Sequence, residues 1–375
     1  MYIPIMKNRK RELAAAENLS NLFDESLIPY FEIISDSYST KYEVDSEGNY
    51  VRNEQKTKSG VIRQMRIKLP HTEEDINTLE TIKSKIGNKK AFIDFFRFSI
   101  PDAEYTNFSF EAVVLSYNLS QDFSEYKKRV LGIAKFDNFI PVISIKKGLL
   151  IGTSDFRNII SEMQNKFSSI AIRITSELFD DYRKDIQSCM RSNDYFFYDI
   201  RSSSVQSKRI EMMELKNYTL PCPKILLNSP RPIDKNNGEY EKSKPTILIN
   251  NDAIEKYASF KFDGVGDFAG LKDELPKAGG SGGAGTALSL MYNNEDNKFY
   301  SFKCDDSSIG MKGYRVVVND ILSNLDMLGN IKNCPAIDKI ALMKRENKYG
   351  NWSTWNEMTI TRYIHQLYSK EKAGV

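Results

Sequence analysis

The alternation of short apolar runs with helix-like stretches is the feature that most constrains the fold of this chain. Eight strand-like runs occur between residues 2 and 265, and a helix-like stretch lies in each gap between them. The runs lie at 2–6, 27–34, 90–98, 139–145, 169–174, 194–201, 223–229 and 259–265. Several are apolar nearly throughout, which is typical of parallel strands covered by helices. This pattern predicts an α/β protein with a (β/α)8 TIM-like barrel, and a doubly wound open sheet remains the main alternative.

Two polar insertions and a glycine-rich stretch interrupt the repeat. Residues 36–70 carry a turn signal, SEGN, between alternating stretches and predict an inserted β-hairpin, whereas 99–121 predict an extra strand. The predicted segments are a barrel at 1–275, a linker at 276–285 and a small C-terminal α+β cap at 286–375. The cap is predicted to contain a strand pair, ALSLMYNN and KFYSFKC, and to pack on the barrel.

Composition excludes several classes of function. The net charge of +3 is too small to indicate nucleic-acid binding by itself. The two histidines and four widely spaced cysteines argue against a zinc site. The N-terminus has no secretory h-region, and no apolar run approaches the ~20 residues of a membrane span, so a cytoplasmic location without membrane partners is expected.

Charged side chains lie at the carboxyl ends of the predicted strands, which is where catalytic residues of such barrels come from. The predicted catalytic residues are Glu32, Asp94, Asp199 and Asp263, and the predicted ligand-binding residues are Lys7, Arg173, Arg201, Asn228 and Asp267. Asp263 is expected to open the loop after the eighth strand, with Asp267 nearby. A charge within an apolar strand is costly unless it is paired or faces a wet cavity. A polar pocket and a structural salt-bridge network both satisfy this requirement.

Such a pocket suits a phosphate-bearing ligand. Arginine and lysine bind phosphate, and carboxylates can hold a divalent ion such as magnesium through oxygen ligands. Metal-assisted cleavage of a phosphodiester is therefore one candidate reaction, although the metal requirement and the cofactor stay open. The partner would be a phosphorylated small molecule or a nucleic acid.

Several motifs, in their order along the chain, resemble the beta family proteins of bacteria and phages. They are the opening MYIPIMKNRKREL with LIPYFEII, then KAFIDFF, AIRI, FYDIR and GDFAG, and finally CPAIDKI, GNWSTW and ITRYIHQL. The resemblance carries no established reaction. It implies a part in antiphage defence and a partner protein from the same defence locus. That family often has a histidine pair near the C-terminus, where this chain has Tyr363 and Ile364 beside His365.

Two hypotheses follow. In the first, the barrel mouth binds a phosphate-bearing or nucleotide-like ligand and acts as an effector of phosphodiesterase or nuclease type. Alanine at Asp199 or Arg173 should then abolish activity in a folded protein. In the second, the barrel is a scaffold that recognises a phage or host protein through the hairpin and the cap, so that deletion of 40–68 matters more.

Overall fold

A computed structural model describes most of the chain. The described residues are 1–56, 60–98, 105, 107–278, 285–329 and 331–372, with side chains described as far as 370. The strands are β1 Tyr2–Lys7, β2 Tyr30–Ile33, β3 Arg52–Lys56, β4 Ile62–Arg66, β5 Ala91–Phe95, β6 Phe139–Ile145, β7 Ala171–Thr175, β8 Tyr195–Asp199, β9 Lys224–Leu227, β10 Lys244–Pro245, β11 Gly264–Asp267, β12 Leu288–Asn293 and β13 Lys298–Lys303. The helices are α1 Lys10–Asn18, α2 Thr78–Ile86, α3 Val114–Gln121, α4 Phe123–Gly132, α5 Thr153–Lys166, α6 Phe179–Cys189, α7 Arg209–Lys216, α8 Asp252–Lys256, α9 Tyr314–Ser323, α10 Pro335–Glu346 and α11 Trp352–Lys372.

Eight of the strands close into a barrel in the order β1-β11-β9-β8-β7-β6-β5-β2. All eight pairings are parallel, and the barrel closes where β1 pairs with β11, with Tyr2 opposite Val265. The predicted (β/α)8 barrel is confirmed, and the open sheet is excluded because both edges are paired. Among the described residues, no helix is long and apolar enough to cross a membrane.

The barrel interior is filled by alternate side chains of the strands. The rings of Tyr30, Phe92 and Phe197 pack in tilted and edge-to-face contacts with centroids 4.9–6.1 Å apart. Strand β11 has glycines, Gly264 and Gly266, at the positions that face this layer, so it adds no side chain to it. A Cβ on Gly264 would lie 2.6 Å from the backbone oxygen of Met1, and one on Gly266 would lie 2.7 Å from that of Ile3. These glycines therefore permit the close approach of β11 to β1 that closes the barrel.

The C-terminal helix α11 packs on the outer wall of the barrel. It lies against α1 and β1, and its residues Ile360, Ile364 and Leu367 belong to the same buried cluster as the helices around the barrel. The antiparallel pair β12–β13 confirms the predicted strand pair. The division into barrel, linker and cap stays a prediction, since the hydrophobic core runs from the barrel wall into α11.

Two predicted strands need correction. The eighth strand is Gly264–Asp267 rather than 259–265, because a 3-10 turn occupies Tyr257–Phe260. The strand predicted within 99–121 is a 3-10 turn followed by α3. Residues 99–104 and 106 of this segment lie outside the described residues. The closed barrel offers this segment no free edge, so its backbone bonds are made within a helix.

The predicted hairpin exists, but its main ladder differs from the prediction. Strands β3 and β4 pair with Arg52 opposite Arg66, whereas the predicted SEGN turn connects residue 44 to residue 50. The first predicted strand, KYEV, contributes only the isolated bridges of Tyr42 and Val44. Two backbone hydrogen bonds anchor the base of the insertion: Ser39 N–H donates to the carbonyl of Asp75, and Asn77 N–H donates to the carbonyl of Ser37.

Candidate functional site

Arg173 lies at the centre of a buried ion network at the carboxyl end of the barrel. Its guanidinium is 2.7 Å from Glu32 and 2.7 Å from Asp199, and 3.7 Å from Asp94. The hydroxyl of Tyr30 donates to Asp94 at 2.8 Å. The side chains of Arg173 and its three carboxylate neighbours are at most 6% exposed. Four strands of the barrel, β2, β5, β7 and β8, therefore contribute one charge each to a single network.

Lys7 extends this network towards the loop that follows β11. Its ammonium is 2.9 Å from Glu32 and 2.8 Å from Asp273. Asp273 also accepts a hydrogen bond from Tyr105 at 3.0 Å and lies 3.4 Å from Arg201. Neither Asp273 nor Tyr105 was predicted, because both lie in loops. The only sequence signal for Asp273 is its position a few residues past the last strand.

Burial and pairing oppose each other at these groups. Burial alone would raise the pKa of Glu32, but Lys7 and Arg173 outweigh it and hold the pKa below its usual value. Burial is likewise outweighed at Asp273, whose pKa is lowered by Lys7 and Arg201. At Asp94 burial prevails over Arg173 and raises the pKa. Most of these acids are therefore fixed as anions by neighbouring cations.

The arrangement does not suit a metal ion. Among the described residues, no group of three or more histidine, cysteine, aspartate or glutamate side chains is placed to hold one. Glu32, Asp199 and Asp273 each turn an oxygen towards lysine or arginine, so a divalent cation would have to displace a positive charge. The magnesium site considered from the sequence therefore has no suitable donor set in this part of the chain.

A small cavity lies beside the network. It has a volume of about 10 Å³, about the room that one water needs, and Lys146, Asp94 and Thr175 line it. Within the described residues, Asp94 Oδ1 and the Thr175 hydroxyl have no hydrogen-bond partner. Burial, aided by Arg201, lowers the pKa of Lys146 to about 7. These groups provide the polar partners that a buried water requires.

Backbone geometry is unusual at the end of β8. Arg201 has a φ of 54°, in the left-handed region that non-glycine residues rarely adopt. Its backbone N–H donates to Asp199 at 2.8 Å, and its carbonyl accepts from Asn228 Nδ2 at 2.8 Å. The Asn228 amide also donates to Ser203 at 3.0 Å. Asn228 therefore holds the loop after β8 in place, and its predicted role in binding a ligand stays a prediction.

The structure brings six of the nine predicted site residues into one region. They are Lys7, Glu32, Asp94, Arg173, Asp199 and Arg201. The predicted position of Asp263 is wrong: it precedes β11 and accepts a hydrogen bond from the backbone of Lys224, at the start of β9. Asp263 thus lies at the amino end of the barrel, because the eighth strand starts later than predicted.

The predicted position of Asp267 also needs correction. Its carboxylate turns outward from the barrel and accepts hydrogen bonds from Tyr2 at 2.7 Å and from Tyr363 of α11 at 2.6 Å. Burial raises the pKa of Asp267 to about 6, although both tyrosines lower it. Asp267 therefore joins the barrel wall to the C-terminal helix and takes no part in the ion network.

A larger cleft, of about 980 Å³, lies between the loops that follow β9 and β11 and the start of α11. Four basic side chains and one acidic side chain line it, together with the rings of Trp352, Trp355 and Tyr314. The charged residues are Arg9, Arg231, Lys272, Lys277 and Glu274. The sequence analysis did not predict this cleft, because it is formed by loops that are distant in sequence.

Fold and site define this chain as a (β/α)8-barrel protein with an ion network at the carboxyl end of its strands. The family model described as Beta protein matches residues 2–194, just over half of the chain. The chain therefore belongs to the Beta protein family, as the motif resemblance predicted. Comparisons with curated proteins and with solved structures gave no match.

Proposed function

We propose that the cleft at the barrel mouth binds a phosphate-bearing, nucleotide-like ligand. The observation that carries the proposal is the combination of room, positive charge and aromatic rings in one place. The volume of about 980 Å³ suits a ligand of nucleotide size. Cations would contact the phosphates, and an indole ring offers a face on which a base can stack.

The positive charge of the cleft is only partly compensated. Lys272 donates to the carbonyls of Ile233 and Lys235, the first at 3.1 Å, and Arg231 donates to the carbonyl of Gly270 at 3.3 Å. A carbonyl oxygen satisfies a donor without cancelling its charge. Burial and the nearby Arg231 lower the pKa of Lys272. A bound phosphate would therefore stabilise the charged form of this lysine.

The aromatic wall includes Trp352, which is half-buried at the start of α11. A Cβ at Gly285 would overlap the Trp352 ring, so the chain passes close over one part of the indole. Tyr314 contacts the Trp352 ring edge-on, with ring centroids 6.3 Å apart, and itself stacks on Trp355 at 5.1 Å. Support of this kind holds the Trp352 side chain in place before a ligand arrives.

Isothermal titration calorimetry with ADP, adenosine and inorganic phosphate tests this proposal. We expect ADP to bind, adenosine to bind more weakly, and both Lys272→Gln and Trp352→Ala to weaken ADP binding by about tenfold. Lys261→Gln, at the amino end of the barrel, is the control and should leave ADP binding unchanged. No heat with any of the three ligands, or an ADP affinity that neither cleft variant changes, would contradict the proposal.

Hydrolysis of a phosphodiester, and a role in antiphage defence, are the further parts of this proposal. Asp94 supports the first, because burial raises the pKa of its carboxyl, and a raised pKa favours a general acid. Cleavage of bis(p-nitrophenyl) phosphate that is lost in Asp94→Asn would support hydrolysis.

The role in antiphage defence is tested by phage plating. If ligand binding serves defence, the plating efficiency of a phage on cells that express Trp352→Ala should differ from that on cells that express the unchanged chain.

Recognition of a phage or host protein is the second candidate function. The exposed apolar side chains of the hairpin favour it, since Val44, Ile62 and Met65 are 53%, 63% and 43% exposed. Clustered exposed apolar residues are typical of interaction sites. Under this hypothesis, deletion of the hairpin abolishes capture of the partner, whereas Trp352→Ala leaves it unchanged.

A further inference from the structure

The hairpin insertion stands apart from the hydrophobic cores of the molecule. Strands β3 and β4 are exposed along their whole length, and none of their residues belongs to a buried cluster. The insertion follows β2 and so emerges at the carboxyl end of the barrel, on the side where the candidate site lies. An exposed two-stranded ribbon of this kind contributes little to the free energy of unfolding, so its side chains are available for binding.

The register of the ribbon separates its side chains into two faces. Residues directly opposite each other in an antiparallel pair point to the same side, and the side alternates along each strand. The pairings Arg52↔Arg66, Lys56↔Ile62, Tyr42↔Lys68 and Val44↔Tyr50 therefore define one face. The contacts of the Arg66 guanidinium with the rings of Tyr42 and Tyr50 agree with this assignment.

This face is strongly basic. It carries Arg52, Lys56, Arg66 and Lys68, all exposed, against the single carboxylate of Glu54. Within the part of the chain that the structure describes, Arg52, Lys56 and Lys68 form no ion pair. Glu54 instead accepts a hydrogen bond from Gln64 at 3.2 Å. The positive charge of this face can therefore attract anions. The net charge of the whole chain is small and does not reveal this local cluster of cations.

Aromatic rings lie among these cations. Tyr50 is 48% exposed, and its ring contacts that of Tyr42 edge-on at 5.7 Å. The Arg66 guanidinium lies 4.0 Å from the centre of the Tyr50 ring. Both a tyrosine ring and a guanidinium plane accept stacked bases, and cations beside them accept the phosphates that connect those bases.

We propose that this face of the hairpin binds single-stranded nucleic acid. Charge complementarity selects a polyanion, because four cations against one carboxylate would be poorly matched by an ordinary protein surface. The exposed ring of Tyr50 selects unpaired bases, because bases within a duplex have no free face. The inference concerns a surface other than the cleft, and it does not depend on the ligand proposed there.

Fluorescence anisotropy with labelled oligothymidine of about 20 nucleotides, and with the matching duplex, tests the inference. We expect the single strand to bind more tightly than the duplex. Arg52→Gln combined with Lys56→Gln should weaken binding and lower the slope of log affinity against log salt by about 1.4, from about 0.7 per lost contact. Tyr50→Ala should weaken binding by about tenfold, and Tyr50→Phe should retain it.

A charge-matched control separates the basic face from net charge. Arg63→Gln, on the opposite face of the ribbon, combined with Lys184→Gln, on α6, removes the same two charges and should leave the affinity close to that of the unchanged chain. Equal weakening in the control and the test variants would overturn the inference. Equal affinity for the duplex with no effect of Tyr50→Ala would overturn the single-strand assignment. No binding to either oligonucleotide would overturn the inference as a whole.

Discussion

Arg173 shows how a charge can lie in the apolar layer of a barrel. Its strand, AIRIT, is buried throughout, and isolated arginine there would be very costly. Asp199 comes from the adjacent strand β8, whereas Glu32 and Asp94 come from β2 and β5, beyond β6. The closed barrel therefore brings the compensating charges together. Arg173 donates two hydrogen bonds to Asp199 Oδ2, from Nε at 2.9 Å and from Nη2 at 2.7 Å. Arg173 therefore has a structural role, which is to neutralise the buried carboxylates around it.

Arg173→Met should destabilise the protein strongly. Removing one partner leaves Glu32 and Asp199 buried with less compensation, and the expected loss in the free energy of unfolding is about 3–5 kcal/mol. Urea unfolding monitored by circular dichroism measures this loss. Arg209→Met, on the exposed first turn of α7, is the matched control and should change stability by no more than about 0.5 kcal/mol. An equal, small change in both variants would show that the network contributes little.

This expectation revises the test suggested by the sequence. Alanine at Arg173 or Asp199 was expected to remove activity from a folded protein, but both side chains are nearly fully buried partners in one network. The sequence predicted six of the residues that meet, because each interrupts or ends an apolar strand, but it wrongly grouped Asp263 and Asp267 with them. It could not predict Asp273, which reaches the network from a loop whose path depends on tertiary packing.

At the scale of elements, the contact between β11 and α11 depends on one carboxylate. Asp267 receives hydrogen bonds from Tyr2 of β1 and Tyr363 of α11, so a single side chain connects three elements. The sequence predicted a functional Asp267, but not its outward direction. A shift in strand register reverses the face on which each side chain lies, and the eighth strand was placed several residues too early.

The raised pKa of Asp267 predicts a pH dependence of stability. The folded state binds its proton up to pH about 6, whereas the unfolded state releases it near 3.8, so the folded state holds more protons between these values. The free energy of unfolding contributed by this group therefore falls as pH rises from about 4 to about 6, by about 3 kcal/mol in total. Urea unfolding between these pH values measures the change.

Asp267→Asn provides the comparison for this effect. Asparagine is similar in shape and does not titrate, so the difference in unfolding free energy between the two proteins should decrease as pH rises. Other carboxylates with lowered pKa, such as Glu32, titrate in both proteins and cancel in the difference. A difference that stays constant across the range would show that Asp267 titrates normally.

At the scale of the whole molecule, the barrel and its insertion are separable. The buried clusters hold no residue of the hairpin, whereas they extend from the barrel into α11 and the C-terminal strands. The barrel was predictable because its period repeats eight times along the chain. The clefts between its loops were not, since they depend on segments that are far apart in sequence.

Replacement of residues 42–68 by Asn-Gly should leave the barrel intact. Leu69 N–H donates to the carbonyl of Lys41 at 3.0 Å, so these two positions are close enough to be joined by a two-residue turn. We expect the free energy of unfolding to change by less than about 1 kcal/mol. Thermal and urea unfolding check this, and a large loss would show that the hairpin supports the barrel.

The pairing of β1 with β11 has a consequence for synthesis in the cell. Tyr2 lies within hydrogen-bonding distance of Asp267, a partner 265 positions later. At roughly 5–20 residues per second, the ribosome delivers that partner roughly 10–50 seconds after the opening strand has emerged. During this interval the edge of β1 that later pairs with β11 has no partner strand. We therefore expect chaperones that bind nascent chains to bind this one.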